Sequence, residues 1–458
     1  MRGKIILAAV LVSIVGFVGV KEVYNTAPKT NVILIVADDM GYGDLSCYGA
    51  EKGLTPNIDA FAEKGVKYTN FYAPTPYCAP ARASILTGKH PLHHGLLENP
   101  APDAGIDEPG LDPSEVTLAE RLGAIGYQSA IIGKWHLGHQ PKFFPRQQGF
   151  DHYYGILYSN DMRPVQIWEN EQVVKPTVDQ RYITEDYTNQ AIDFIDKNKD
   201  NPFFLYLTHA MPHKPLAASE KFYTPDTPDD LYQDVIRELD YNVGRLLDHL
   251  KATGLDKNTV VVFMSDNGPW FGGSTGSLKG MKATNWEGGI RIPFIIQYPG
   301  APEGVTIDQP AWIPDIVPTM AEFTGFDLKK ENLDGRSILG QINGKDTDER
   351  LIVSIHRDQP ITIRKGKWKL FVNEPTNFHL PDDWVDPRAP DGTTIIAQTE
   401  QATVREYPGI RPDNQFKKGA LFNLSLDAGE QKDVAAQHPE IVSALTKELN
   451  QFLNGQQP

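Results

Sequence analysis

The sequence predicts an α/β protein: a large central, mostly parallel or mixed sheet sandwiched by helices, plus a smaller C-terminal antiparallel sheet with a packed helix. Three observations carry this expectation. Short apolar runs alternate with amphipathic helical stretches as far as about residue 348. The runs are apolar at consecutive positions, as strands buried on both faces require. From Glu349 onward the pattern changes to closely spaced strand-length runs. A larger α/β region over 28–348 and a smaller α+β region over 349–458 follow from that change.

The elements follow in order. Met1-Arg-Gly-Lys4 and the uncharged, mostly apolar run Ile5 to Val20 read as the charged and apolar parts of an export signal over residues 1–27. The run is short for a membrane span, and Ala27-Pro28 marks no clean cleavage point, so a removed signal and a retained anchor both stay open. The expected location is periplasmic or secreted, released or anchored by that segment. Asn31 to Ala37, Tyr127 to Ile132, Phe203 to Leu207, Thr259 to Met264 and Phe294 to Gln297 read as buried strands. Between them, Tyr187, Ala191, Phe194 and Ile195 share one helix face, and Val235, Leu239, Val243, Leu246 and Leu250 share another. In the C-terminal region, Leu351 to Ile355, Thr362 to Arg364, Trp368 to Val372 and Leu421 to Leu424 read as strands, with Lys365-Gly-Lys367 as a turn. The last helix starts near Pro439 and aligns Ile441, Leu445, Leu449 and Phe452.

Composition removes several functions. Lys and Arg number 44 against 59 Asp and Glu, a net charge of −15, so the chain lacks the basic footprint of a nucleic-acid binder. With 40% hydrophobic and 22% charged residues it is neither disordered nor collagen-like. Its two cysteines, Cys47 and Cys78, make no disulfide framework and no zinc pattern, so a cysteine that matters acts singly.

Polar residues gather just after four predicted strands: Asp38-Asp39, Lys134 with His136, His209 with His213, and Asp266-Asn267. Open α/β sheets bind ligands at the carboxyl ends of their strands, so the four groups are expected to converge on one cleft. Asp38, Asp39, Asp266 and Asn267 offer hard oxygen donors without His or thiolate, which favours Ca²⁺ or Mg²⁺ over zinc. Taken singly, each pair before glycine is also an ordinary turn former. Tyr77-Cys-Ala-Pro-Ala-Arg-Ala-Ser-Ile-Leu-Thr-Gly88 places Cys78 where a helix begins, with Arg82 close behind, and both favour negative charge there. The histidines of Lys89-His-Pro-Leu-His-His94 suggest metal or a polar loop. Trp168, Trp270 and Phe271 are candidate sugar-stacking platforms, Trp270 the favoured one because it closely follows Asp266-Asn267.

Cys78, Pro80 and Arg82, followed by Leu86-Thr-Gly88, make the C-x-P-x-R signature, and here the sequence resembles the type I sulfatases of the alkaline phosphatase superfamily. Gly133-Lys-Trp-His-Leu-Gly138, Gln148 to Gly155 and Tyr158-Ser-Asn-Asp161 are similar to the arylsulfatase A branch. The resemblance implies a sulfuric ester hydrolase in which Cys78 is converted to formylglycine by a maturation enzyme. Its hydrated aldehyde then attacks sulfur through a covalent sulfo-enzyme. The same resemblance implies calcium, with Mg²⁺ second, held by Asp38, Asp39, Asp266, Asn267 and the modified Cys78. Arg82 would hold the nucleophile region, and Lys134 and His136 would contact nucleophile and sulfate. His213 would serve the leaving group, with His209 as scaffolding. Of Lys279 and Lys282, family spacing to Glu287-Gly-Gly289 selects Lys282 as the sulfate-binding lysine. Ala81 and Lys89 depart from the usual Ser and Arg, the second at a position able to weaken a contact around the modified Cys.

The chemistry is self-consistent, because a sulfate ester needs cations for its oxygens, a nucleophile for its sulfur and an acid for its leaving oxygen. A sulfated carbohydrate is the expected substrate, with aryl sulfates as surrogates. The alternatives are a phosphomonoester or phosphonate ester hydrolase of the same superfamily, and a non-catalytic glycan-binding protein if Cys78 stays unmodified.

Overall fold

The computed structural model describes residues 29–102, 109–224, 230–270, 272–328, 332–375 and 416–455. The expected export segment, Phe271 and most of the stretch from Asn373 to Lys418 lie outside the described residues.

Numbered along the chain, the main strands are β1 (Asn31–Ala37), β2 (Val66–Tyr72), β3 (Gln128–Gly133), β4 (His152–Gly155), β5 (Ile167–Glu169), β6 (Gln172–Lys175), β7 (Phe203–Thr208), β8 (Thr259–Ser265), β9 (Arg291–Gln297), β10 (Val305–Ile307) and β11 (Ala311–Trp312). They form one sheet in the order β10-β2-β9-β8-β1-β7-β3-β4-β5-β6, with β11 beside β2. Its centre, β8-β1-β7-β3-β4, is parallel. β9 runs antiparallel to β8 and β2, and β5 and β6 run antiparallel at the other edge.

The consecutive apolar residues of β1 explain its central place. Val32, Leu34 and Val36 join the core that includes Ala83, Leu86, Leu122 and Val317 from three helices, Cys78–Thr87, Leu118–Ala124 and Ile316–Thr324. Ile33, Ile35 and Ala37 face the opposite core, shared with the helices Pro56–Glu63, Ile183–Asn198 and Asp230–Thr253. Both predicted helix faces are buried in that second core. One boundary in this sheet differs from expectation by more than a residue. The strand expected from Phe294 already begins at Arg291 and runs through Pro293, because the proline falls where the β2–β9 register shifts and no regular ladder bond is needed.

A separate four-stranded antiparallel sheet follows: β12 (Leu351–His356), β13 (Gln359–Lys365), β14 (Trp368–Phe371) and β15 (Leu421–Asn423). Helix Pro439–Leu453 packs Leu445, Leu449 and Phe452 against it. The Ile355 N–H donates to the Pro74 carbonyl at 3.0 Å, and Asn285 Nδ2 donates to Ser354 Oγ and the Ile355 carbonyl, both at 3.0 Å. The second sheet is thereby fastened beside the loops that carry Cys78 and Lys282. Among the described residues no helix is long and apolar enough to cross a membrane.

Candidate active site

Strands β3, β7, β1 and β8 are parallel neighbours, so the residues that follow them meet along one sheet edge. β3 and β7 can lie close enough because Gly133 has no side chain: a Cβ there would sit 1.8 Å from the Thr208 carbonyl oxygen. The Lys134 N–H then bonds that same oxygen at 2.8 Å, and the Lys134 side chain turns into the site. Its ammonium lies 2.6 Å from Asp38 Oδ2 and 3.0 Å from Ser159 Oγ.

Opposite this edge stands the helix Cys78–Thr87, buried along its whole length. It begins where Tyr77 is extended and ends where Gly88 turns left-handed at φ 72°, its N–H bonding the Ser84 carbonyl. Cys78 is therefore the first helical residue, at the positive end of the dipole. One turn on, the fully buried Arg82 donates from Nε to Asp266 Oδ2 at 2.9 Å and pairs through Nη2 with Asp266 at 2.8 Å and Asp38 at 3.3 Å. Burial opposes the Arg82 charge, but Asp266 and Asp38 hold its pKa above the ordinary arginine value.

Lys282 completes the set. Its ammonium is 2.7 Å from Asp39 Oδ2 and 3.3 Å from Cys78 Sγ. The lysine is held by backbone bonds from its own N–H to the Pro269 carbonyl and from the Ala283 N–H to the Pro76 carbonyl. Ala283 (φ 65°), Asp39 (φ 60°) and His136 (φ 60°) all adopt the left-handed region, at a cost of about 1 kcal/mol or more each. Strain of this kind persists where the surroundings fix the residue, and here it fixes one residue at or beside each of three site groups. Lys279 lies elsewhere, over the rings of Trp286 (3.6 Å) and Phe416 (4.5 Å).

Asp38, Asp39, Cys78 and Asp266 are all buried, and one ligand atom from each lies within 4.8 Å of the others. Asn267 donates from Nδ2 to Asp39 Oδ1 at 2.7 Å, while its Oδ1 is buried and accepts no hydrogen bond among the described residues. Three carboxylates with an idle amide oxygen suit a hard cation.

The two histidines differ in kind. His136 Nε2 lies 3.3 Å from the Pro100 carbonyl, an oxygen that only accepts, so Nε2 carries the hydrogen and Nδ1 the lone pair. That Nδ1 is buried with no hydrogen-bond partner among the described residues. Burial, and then the charges of Lys134, Arg82 and Lys282, push the imidazole well below its usual pKa, so it is neutral. His213 Nδ1 faces two oxygens, Asn160 Oδ1 at 2.9 Å and the Lys214 carbonyl at 2.6 Å, so its hydrogen is at Nδ1. Its Nε2 points to the site, 3.6 Å from Asp39 Oδ2. Asn160 cannot turn round, because its Nδ2 donates to the His213 and Pro215 carbonyls and to Gln180 Oε1. His209 is buried against Tyr187, with both ring nitrogens unbonded among the described residues, and burial lowers it to about 3.

The convergence expected from four strand ends is thus observed for Asp38, Asp39, Lys134, His136, His213, Asp266 and Asn267, joined by Cys78, Arg82 and Lys282. The histidines after Lys89 do not join them. His90 reaches the Val353 carbonyl, His93 pairs with Asp334 and His94 meets Ser84, fastening the helix to the second sheet. Lys89 itself pairs with Glu115 at 2.7 Å. Trp270 is half-buried on the loop after Asn267. Sequence reasoning assigned no role to Ser159, Asn160 or Gln180. The first two stand in a stretch it had singled out, but Gln180 gave no signal.

Burial pushes the Cys78 thiol well above its usual pKa despite Lys134 and Lys282, so as an unmodified side chain it is not a thiolate. Cations, buried carboxylates and two differently protonated histidines around one helix N-terminus, at the carboxyl edge of this sheet, are the equipment of an enzyme that hydrolyses sulfate esters. The chain belongs to the sulfatase family, whose model matches residues 30–326, and within it is a type I, arylsulfatase A-like sulfatase. It is 32% identical to arylsulfatase A of Homo sapiens over 466 residues, covering 92% of this chain and 87% of that protein. It is 31% identical to N-acetylgalactosamine-6-sulfatase of Mus musculus over 454 residues, covering 92% and 86%. Among solved structures, Ps i-CgsB in complex with k-i-k-neocarrahexaose superposes with a TM-score of 0.76 at 28% identity, covering 94% of each chain.

Proposed function

We propose that this sulfatase releases inorganic sulfate from a sulfated carbohydrate, using formylglycine made from Cys78 and a calcium ion held by Asp38, Asp39, Asp266 and Asn267. The observation that carries the reading is Cys78 itself: a thiol kept protonated by burial, yet set among Lys282, Asp39 and the helix N-terminus. An inert thiol at the centre of an anion site makes chemical sense as the precursor of a nucleophile. Because Cys78 is fully buried, a formylglycine-generating partner must reach it before the chain folds. The all-oxygen set of three carboxylates and an amide suits Ca²⁺, which binds such sets without the near-octahedral geometry that Mg²⁺ demands. The carbohydrate is supported by the names of the mouse relative and of the oligosaccharide complex, and export by the N-terminal segment.

The modified residue would supply a hydroxyl nucleophile, and the metal positive charge for the sulfate oxygens. The chain's own groups do the rest. Lys134 and Lys282 bind sulfate oxygens, and Arg82 neutralises Asp38 and Asp266 and fixes the helix turn behind Cys78. His213, whose Nδ1–H is held by Asn160, takes up a second proton at Nε2 beside Asp39 and delivers it to the departing oxygen. His136 takes a proton at Nδ1, the nitrogen left without a partner among the described residues.

Peptide mass spectrometry across Cys78, run with sulfate release from an aryl sulfate, tests the reading. An aldehyde at Cys78 is expected, with release abolished by chelation and restored by Ca²⁺ more fully than by Mg²⁺. Turnover by protein whose Cys78 is unmodified would refute it.

A further inference from the structure

Beside the catalytic residues lies a second feature that their chemistry does not use. A cavity of about 200 Å³ opens along the loop that joins β4 to β5, walled by Tyr158, Ser159, Met162, Pro164, Val165 and Trp168. Its wall shares residues with the catalytic centre or borders it at three points. Ser159 Oγ bonds Lys134 at 3.0 Å and lies 3.3 Å from His213. The Leu157 carbonyl, also in the wall, accepts from the His136 N–H at 2.9 Å. Pro102, at the rim, follows within two residues of the Pro100 carbonyl that fixes His136.

Its walls are set. Trp168 is paired opposite Gly155 in the sheet and stands edge-on to Phe144 at 5.6 Å. The Tyr158 hydroxyl is tied to His139 Nδ1. None of the described residues lining the cavity is an acid, a lysine or an arginine.

We infer that this cavity takes the pyranose ring that carries the sulfate, and that the ring is an uncharged hexose or N-acetylhexosamine. The inference rests on the carbohydrate reading above and narrows it. With the sulfate held by Lys134 and Lys282 and the leaving oxygen at His213, the ring attached to that oxygen lies on the Ser159 side, where the cavity opens. Aromatic faces at Trp168 and Tyr158 match the C–H face of a sugar, and Ser159 and Gln166 offer hydroxyl partners. A uronate ring would bring a carboxylate against described walls that contribute no lysine or arginine of their own, which burial penalises. Trp168, rather than the Trp270 favoured by the sequence, is the stacking residue.

The test compares the mature full-length enzyme with Trp168→Ala, which removes a wall, and Val165→Trp, which fills the space. Galactose 6-sulfate and N-acetylgalactosamine 6-sulfate are the neutral probes, glucuronate 2-sulfate the charged one, and inorganic sulfate an inhibitor that occupies the catalytic centre alone. KM for the neutral sulfates should rise about tenfold in both variants, the size of one aromatic contact, while the inhibition constant of sulfate stays within about twofold. The wild type should favour the neutral sulfates over the uronate by tenfold or more. Unchanged KM in both variants, or equal use of the uronate, overturns the inference with the sulfatase intact. A wild type that cleaves aryl sulfates and no sugar sulfate refutes the carbohydrate reading itself, and this inference with it.

Discussion

Two lysines three residues apart, Lys279 and Lys282, give the sharpest test of the site, because the fold sends them to different places. Lys282→Met removes an ammonium 2.7 Å from Asp39 and 3.3 Å from Cys78. A donor aimed at charge that develops in the transition state is worth about 10²–10³ in turnover, or about 2.7–4 kcal/mol. The same change deprives buried Asp39 of one partner. Asn267 still donates to Asp39, so the stability loss should fall at or below the low end of the roughly 3–5 kcal/mol seen when a buried pair is broken. Lys279→Met keeps an apolar stem among Trp286 and Phe416 and loses a desolvated cation–π contact worth about 2 kcal/mol. It should lower the melting temperature and leave kcat within about threefold. Sulfate release from an aryl sulfate at saturation, alongside thermal melts, reads both quantities. A hundredfold loss in Lys279→Met with near-normal turnover in Lys282→Met would refute the assignment.

Two further outcomes follow from buried polar groups. Asn160→Ala removes one of the two oxygens that hold His213 Nδ1 and leaves the Lys214 carbonyl, so hydrolysis of sulfate esters with poor leaving groups should fall about 10- to 100-fold while activated aryl sulfates change little, and His213→Ala should exaggerate the same split. Equal losses on both substrate classes would remove the acid role from His213. At the seam between the sheets, Glu287 and Glu430 flank Lys369 at 3.0 and 2.8 Å. Burial pushes Glu430 up to about 7 from 4.5, against the pull of Lys369. The folded state thus binds a proton that the unfolded state has lost between those values, so stability should fall as pH rises from about 4.5 to 7, by roughly 3 kcal/mol if no other group compensates. Chemical denaturation across that range should show the slope, and Glu430→Gln should flatten it; an unchanged slope in the variant would assign it to other groups.

The parts of the fold legible in the sequence are those whose burial is uniform. β1, β7 and β8 are covered on both faces, so their apolar runs have no polar interruptions and their ends are found to within a residue. β2 escaped notice because Lys67, Thr69 and Asn70 interrupt its pattern near a register shift, and β4, β5 and β6 because they are short and increasingly exposed toward the sheet edge. In the site, charged residues next to strand ends were legible because position alone gives them a destination. Gln180 was not, since nothing in its neighbourhood says that its amide locks Asn160 across 20 residues of chain. Glu287 illustrates the middle case. It was visible as the landmark that selects Lys282, yet its side chain accepts from Tyr72 at the end of β2, and its bonds with Lys369 and, through its N–H, with Glu430 exist only once the C-terminal region is in place.

A protein of net charge −15 that binds an anionic group needs a local reason, and the side chains alone do not provide it. Arg82, Lys134 and Lys282 supply three positive charges, and Asp38, Asp39 and Asp266 cancel all three through direct pairs. Such a set attracts an anion only through directed donors, not through net field. A divalent cation among the carboxylates would leave the site at +2, enough to outweigh a sulfate monoester, while the acidic exterior is screened beyond about 8 Å at physiological salt. The three carboxylates would therefore act twice, first holding the lysines and arginine in place in the metal-free site and then releasing part of that hold to a bound cation. On this reasoning metal-free protein should fold with the site already formed, and chelation should abolish sulfate binding well before it lowers the melting temperature. If chelation unfolds the protein at the same metal concentration at which sulfate binding is lost, the cations are not organising the site, and the ion is structural.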